Sequence, residues 1–518
     1  MQFSQFLKRL KNISDRRYTT SLTALFLLVG TITASHHEMW RDEIQTWLLA
    51  RDSSSLTDLF CNLEYQGHPG LWPVYLLPLT RITRSPVIMQ VFHLLIAATT
   101  VYLFVRCSPF TRIQKFLFAF GYFSLYEYSV VCRNYALGVL LLCLFCILFQ
   151  QRYARFLLVS IVLFLLGHTS VHALIIAIVT GFVLMLDYLL DRRRILAEGA
   201  INEWQIWVGF GLIALGVLTA MLQLTPPADS GFAVGWYTSY DADHLKSVIK
   251  TIARAFFPVP QAKFDFWWSS PLLETYPVFI KMQLSLSLLV VAWFSLVLLQ
   301  KPIALSIYLL GTIGLLSFFY VKYFGSIRHH GFLFMLFIAV AWIYRYCGEA
   351  NRPTLINRFS FTREELLRPI LTLILIFHFI GGIIAVCMDY RYVFSYGKAA
   401  AAFIKEHDMQ EMLMVGEADY AVSTIVGYLG KDQVYYPRGD RFGSFVIWDE
   451  ARTREVSDDQ IIQKAKELGA AHVKNVLIIL NHALSPDLIS YNSLTELATF
   501  TGSTVGDEGF YLYLLRTL

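Results

Sequence analysis

Asp42 and Glu43 stand side by side directly after the first apolar run of a chain rich in such runs, and His68 follows before the next one. Ionisable side chains at a membrane boundary cost desolvation energy, and they mark reaction or transport sites. A carboxylate there can take the proton of an attacking hydroxyl. Such a transfer also needs cations to hold a leaving phosphate as charge develops on it. Arginine suits that task, because its planar fork is always charged and matches phosphate oxygens in pairs. Arg133 and Arg328 are the candidates, and Asp42 with these two arginines supplies both needs. Glu43 joins Asp42 as a catalytic candidate. His68, Glu127 and His329 are candidates for substrate binding.

Each residue also has an ordinary reading. Asp42 and Glu43 favour the start of a helix near Ile44, where acidic groups meet the positive end of the dipole. Glu127 can pair with Arg133, and both arginines can anchor to lipid headgroups. His168 and His172 share a face if their helix is continuous, a spacing that suits a divalent metal. Interfacial histidines ordinarily serve as hydrogen-bonding groups, so no metal and no other cofactor is assigned.

The elements that must position these residues are membrane helices. Of 518 residues 56% are hydrophobic and 16% charged, against about 25% charged in a soluble domain. Mean hydropathy is +0.51. The net charge of +5 sits in short loops between apolar runs, which is a topology signal and not a nucleic-acid signal. The seven cysteines show neither metal-type spacing nor a disulfide framework. Lys8, Arg9, Lys11, Arg16 and Arg17 precede the first run, which reads as an uncleaved signal anchor with a cytoplasmic N-terminus.

Apolar runs near 19–36, 86–106, 113–128, 134–150, 154–170, 172–190, 204–223, 277–299, 303–321, 331–347 and 369–388 predict about eleven spans. The run 71–84 contains Pro73 and Pro78 and is short. If it crossed, the basic loops holding Arg106, Arg112, Lys115, Arg152, Arg155, Arg192, Arg193, Arg194, Lys301, Arg345, Arg352, Arg358, Arg363 and Arg368 would all lie outside. The positive-inside rule therefore makes 71–84 an interfacial helix on the outer face. That parity gathers Asp42, His68, Glu127, Arg133, His168, His172 and Arg328 on the outer side. Trp236, Tyr237, Tyr240, Trp267 and Trp268, in the outer segment 225–276, read as interface anchors. Residues 1–388 form the membrane domain. Residues 389–518 are polar, with buried strands at 413–415 and 476–480 and an amphipathic helix at 457–468, and predict an extracytoplasmic α/β domain. That domain has no GxGxxG, P-loop or catalytic triad.

Three segments carry a family resemblance: Arg41-Asp42-Glu43, His68-Pro69-Gly70-Leu71, and Tyr126-Glu127-Tyr128-Ser129 with Arg133-Asn134-Tyr135-Ala136-Leu137. The pattern resembles the GT-C integral-membrane glycosyltransferases, in particular the protein O-mannosyltransferases and the lipid A aminoarabinose transferases. Gly70 stands where those relatives often carry a second proline, and the C-terminal domain does not resemble the trefoil insertion of the mannosyltransferases. The resemblance implies a multi-pass protein of the plasma (inner) membrane that moves a hexosyl or pentosyl group from a polyprenyl-phosphate donor to an acceptor hydroxyl on the outer face. The acceptor is a glycan, a lipid or a protein. Asp42 is then the base of an inverting transfer, and Tyr135 joins the donor site. The rival expectation is a polytopic transporter or lipid-handling protein with a non-catalytic outer domain, since intramembrane charge fits that as well. Paired repeats and midplane helix breaks, the usual marks of a transporter, are not seen in the sequence.

Overall fold

The computed structural model describes residues 15–197, 202–231, 235–268, 271–348 and 363–516. Lys8, Arg9 and Lys11 of the N-terminal basic run lie outside the described residues, as do Arg352 and Arg358.

The chain enters through α1 (Asp15–His36), then turns through α2 (Arg41–Asp52), α3 (Leu56–Asn62) and α4 (Leu71–Thr80). It continues through α5 (Val87–Cys107), α6 (Arg112–Ala119), a π-helix (Tyr122–Val130), α7 (Tyr135–Leu148), α8 (Phe156–Gly167), α9 (Val171–Ala197) and α10 (Glu203–Leu224). After α11 (Ala242–Phe256) come α12 (Pro277–Leu298), α13 (Pro302–Val321), α14 (Ile327–Ile343) and α15 (Arg363–Arg391). Among the described residues eight helices are long and apolar enough to cross a bilayer: α1, α5, α9, α10, α12, α13, α14 and α15. The other three predicted crossings are α6 with the π-helix, α7, and α8, each short or broken. At about 1.5 Å per residue, the ten residues of α4 are too few to span hydrocarbon about 30 Å thick.

Lipid-type faces are plain on the peripheral helices, where Leu25, Leu28, Ile32, Leu215, Leu218 and Leu222 are exposed. In α14, by contrast, every residue from Arg328 to Ile343 is buried. A helix apolar on all sides belongs in the centre of a bundle, and α14 therefore delivers its first turn to a site enclosed by the others. Gly331 permits this, since a Cβ there would collide with Tyr128 Oη and the Phe123 ring. At the bundle's other end the ties involve basic residues. Tyr18 donates to the Arg112 carbonyl at 2.6 Å, Arg152 meets Asp187 at 3.1 Å, and Lys301 donates to the Cys347 carbonyl at 2.8 Å.

After α15 the chain forms α16 (Gly397–Glu406), β1 (Leu413–Gly416), α17 (Asp419–Leu429), β2 (Val434–Tyr436), β3 (Arg441–Gly443), α18 (Asp458–His472), β4 (Val476–Leu480), α19 (Pro486–Tyr491), β5 (Leu494–Phe500) and β6 (Phe510–Leu515). The sheet order is β3-β2-β1-β4-β6-β5, with β1 parallel to β2 and β4 and the outer pairs antiparallel. The predicted strands and helix in this part of the chain are present. The sheet domain is fastened to α2. Gln45 exchanges two hydrogen bonds with the Val446 backbone at 2.8 and 3.0 Å, and Arg51 donates to the Lys431 carbonyl at 2.6 Å. Ile44, Trp47 and Leu48 share one apolar cluster with Val422, Ile425 and Val426 of α17.

Charge parity makes the orientation testable. With the exposed Cys61, Cys107 and Cys387 first replaced by serine, cysteines at Phe60, Lys250 and Glu450 are expected to react with an impermeant maleimide in intact cells, and a cysteine at Arg193 is not. Labelling at 193 without permeabilisation would reverse the assigned sides.

Candidate functional site

The site is built on the first turn of α2. Trp40 caps the helix, and its backbone N–H donates to Glu43 Oε2 at 3.1 Å. Glu43 is fully buried. Its Oε1 accepts from the backbone N–H of Cys132, and its Oε2 lies 3.2 Å from His37 Nε2. The other nitrogen of His37 lies 3.1 Å from Asp389 Oδ2, at the end of α15. Both nitrogens therefore face carboxylate oxygens. Burial opposes charge on this ring, but Asp389 and Glu43 outweigh it and raise the His37 pKa well above its ordinary value.

Successive helical residues are about 100° apart, so fixing Glu43 inward turns Asp42 outward. Its side chain is 32% exposed. Asp42 Oδ2 lies 3.3 Å from Arg133 Nη1 and 3.4 Å from Arg328 Nη2. Arg133 Nη1 also donates to the Asp42 carbonyl at 2.6 Å, and Nη2 donates to His68 Nε2 at 3.1 Å. Arg133 follows Cys132, so the Glu43 contact sets its place in the chain. His93 braces the same loop, with its ring nitrogens 2.9 Å from the carbonyl oxygens of Ser129 and Arg133.

Arg328 comes from the first turn of α14. Its guanidinium carbon lies 5.2 Å from the Trp40 ring and 5.1 Å from the Trp267 ring, an arrangement in which aromatic faces stabilise a cation. Arg328 Nε and Nη1 are buried without a hydrogen-bond partner. Below it, Glu127 Oε2 accepts from Tyr122 Oη and Trp267 Nε1, each at 3.1 Å. Tyr135 completes the wall. Its ring lies 5.9 Å from the Arg133 guanidinium, 6.3 Å from His68, 5.7 Å from His329 and 6.5 Å from His172.

Charge states follow from this crowding. Burial pushes the Asp42 carboxyl up, but Arg133, Arg328 and Arg41 together hold it below the ordinary aspartate range. Burial first, and then Arg133, push His68 down to about 3, so its imidazole is neutral and accepts from the guanidinium. The site therefore offers one ionised carboxylate and two guanidinium groups.

Asp42, His68, Arg133, Tyr135, Arg328 and His329 are thus brought together, with Glu127 behind Arg328. Glu43 does not share the open face. His168 and His172 do not share a helix face, because α8 ends at Gly167 and α9 begins at Val171. His168 is used locally, with Nδ1 2.8 Å from the Phe164 carbonyl and Nε2 2.9 Å from Thr219 Oγ1. His172 packs against His329, Phe318 and Phe332. Among the described residues no group of three or more His, Cys, Asp or Glu side chains is placed to hold a metal. Trp267, expected as an interface anchor, is buried against Trp40, whereas Trp236 and Tyr240 are exposed. His37, His93, Trp40 and Asp389 escaped the sequence reading. Asp389, a lone carboxylate at the end of a span, was the one signal that could have found a partner for His37.

No protein-family model and no curated protein matches the chain. Among solved structures it is similar to ArnT from Cupriavidus metallidurans bound to undecaprenyl phosphate, at 10% identity and a TM-score of 0.49, over 96% of this chain and 97% of that one.

The inward clamp can be tested apart from any activity. Glu43→Ala strands the buried N–H groups of Trp40 and Cys132, at about 1–3 kcal/mol for each unsatisfied group. It is expected to lower the melting temperature in detergent by several degrees. Asp42→Asn, which keeps an oxygen facing Arg133 and Arg328 at a partly exposed position, is expected to lower it less. Equal effects of the two would show that Glu43 is not the anchor.

Proposed function

We propose that the chain is a membrane glycosyltransferase that moves a sugar from a polyprenyl-phosphate donor to an acceptor hydroxyl, with Asp42 as general base. The observation that carries this reading is the Asp42 carboxylate held between Arg133 and Arg328, partly open, while Arg328 keeps two unpartnered donors. Unpaired buried donors are costly unless a ligand meets them. A phosphate presents the oxygens they require, and an arginine fork accepts them in pairs.

In this reaction Asp42 takes the proton of the acceptor hydroxyl as its oxygen bonds to the anomeric carbon. The bond from that carbon to the phosphate oxygen breaks, and the electron pair leaves with polyprenyl phosphate. Arg328 and Arg133 stabilise the growing charge. Displacement from the face opposite the leaving group inverts the anomeric carbon. His68, neutral, orients Arg133 without adding charge. Glu43 acts through the backbone, as a positioning residue for Asp42 and Arg133. The protein sits in the plasma membrane with the sheet domain and the site on the outer face.

The decisive assay gives purified protein in detergent a panel of radiolabelled polyprenyl-phosphate sugars. The wild type is expected to consume one of them, and Asp42→Asn to lose about 10²–10⁴-fold in turnover. No consumption by the wild type across the panel would return the chain to the transporter reading. Arg328→Lys keeps charge but loses the fork, so donor KM is expected to rise with the melting temperature unchanged. Unchanged donor KM there would assign Arg328 a structural role.

The pH profile gives an independent check. The carboxyl of Asp42 is held below the usual range, so its basic form persists in acid. As far as Asp42 governs it, kcat/KM is expected to stay level from neutrality down to about pH 5 and to fall only below the ordinary aspartate value of about 3.9. An acidic limb near pH 6–7 would point to another base.

A further inference from the structure

The sheet domain contains a feature that the donor site does not use. Its parallel strands β2 and β4 flank β1 on opposite sides. The chain leaves β1 to one side through α17 and comes back to the other through α18. The carboxyl ends of β1 and β4 therefore form a topological switch point, the crevice in which open α/β sheets bind ligands. Glu417 follows β1 and Asn481 follows β4.

Glu417 is only 3% exposed. Its Oε1 accepts from Arg438 Nε at 2.7 Å, and its Oε2 is buried without a partner. Asn481 Nδ2 donates to the Asp507 carbonyl at 3.4 Å. The membrane part of the chain enters the same place. Arg41 pairs with the Asp507 carboxylate, and its backbone N–H donates to Glu508 Oε1 at 2.8 Å. The guanidinium carbons of Arg41 and Arg438 lie 5.0 and 5.4 Å from the Tyr420 ring. The Arg41 guanidinium carbon also lies 5.2 Å from the Trp40 ring, and that of Arg328 lies 5.2 Å from the same ring, so the crevice adjoins the donor site across Trp40.

We propose that this crevice is the acceptor subsite, and that the acceptor is a neutral, hydroxyl-rich glycan. The inference rests on the transferase reading and names the acceptor class for it. A sugar hydroxyl both donates and accepts, and neighbouring hydroxyls match the paired donors of a guanidinium or the paired acceptors of a carboxylate. Arg438 reaches from Glu417 to the Tyr420 ring, Arg41 lies against the same ring, and Arg41 and Asn481 both reach Asp507, so these planar groups form one connected cluster at the switch point. The unpartnered oxygen of Glu417 is a buried acceptor that a hydroxyl would satisfy. Anionic acceptors fit less well, because both guanidinium groups already face carboxylates. A glycan seated here places a hydroxyl beside Arg41 within one residue of the base.

The test uses the full-length protein in detergent with its labelled donor. Two probes are offered, the extracted glycolipid fraction of the host envelope and the free oligosaccharide that mild acid releases from it. Transfer to both is expected, and transfer to the glycolipid alone would show that the lipid part also contributes to this docking. Asn481→Ala, at a partly exposed position, and Glu417→Gln are each expected to raise KM for the glycan about tenfold with a smaller change in kcat. They should also lower the ratio of glycan transfer to donor hydrolysis by a similar factor. Melting temperature is followed in parallel, and the ratio is insensitive to the fraction of folded protein. Wild-type transfer with unchanged KM and ratio in both variants overturns the subsite and leaves the transferase reading standing. Label arriving only on protein also overturns it. Failure of the wild type to consume any donor overturns the transferase reading itself.

Discussion

The arrangement depends on one buried imidazole between two carboxylates. His37 follows the first span, Glu43 belongs to α2 and Asp389 to the last span. Through Glu43 the same network reaches the backbone of Cys132, which leads into α7. Three segments distant in sequence, around residues 37–43, 132 and 389, therefore meet at a few ångströms. Breaking a buried ion pair by removing one partner is strongly destabilising, because the other charge stays behind unpaired. Such a cluster tolerates little variation in geometry, and that rigidity is passed to the neighbours of its members. Asp42 is next to Glu43, and Arg133 is next to Cys132.

Charge is divided between this cluster and the open face beside it. Inside, acid and base are paired and closed to solvent. Outside, one carboxylate stands against two guanidinium groups, an excess of positive charge in a confined place. Aromatic rings carry much of that excess. Trp40 and Trp267 lie against Arg328, and Tyr135 lies near Arg133. Rings stabilise a cation without neutralising it, which leaves the donors of Arg328 available. A carboxylate in the same position would have cancelled the field that an anionic group would meet.

Much of this was legible in the chain, for identifiable reasons. Apolar runs and loop charge mark the helices, and the short continuous apolar runs at 413–415 and 476–480 mark the sheet. Asp42, Arg133 and Arg328 were legible because charge is rare in such a composition and parity sorts it by side. The division of labour between Asp42 and Glu43 was not, since it depends on which neighbour of a helical pair points inward. His37 and His93 were not legible because one partner of His37, Asp389, is 352 residues away, and the partners of His93 are backbone carbonyl groups. His168 and His172 misled because a four-residue spacing has meaning only on an unbroken helix.

The brevity of α8 has a mechanical consequence. Its twelve residues measure about 18 Å along the axis, and Leu158 and Ile161 on its flank are exposed. Hydrocarbon about 30 Å thick cannot meet such a short wall without a mismatch. A bilayer accommodates a span that short by thinning beside it, by snorkelling of flanking side chains or by helix association, each at a modest cost. The expected consequence is a local depression of the membrane surface beside α8. Where the bilayer thins there, lipid headgroups stand closer to the mid-depth of the bundle beside α8 than beside its full-length spans.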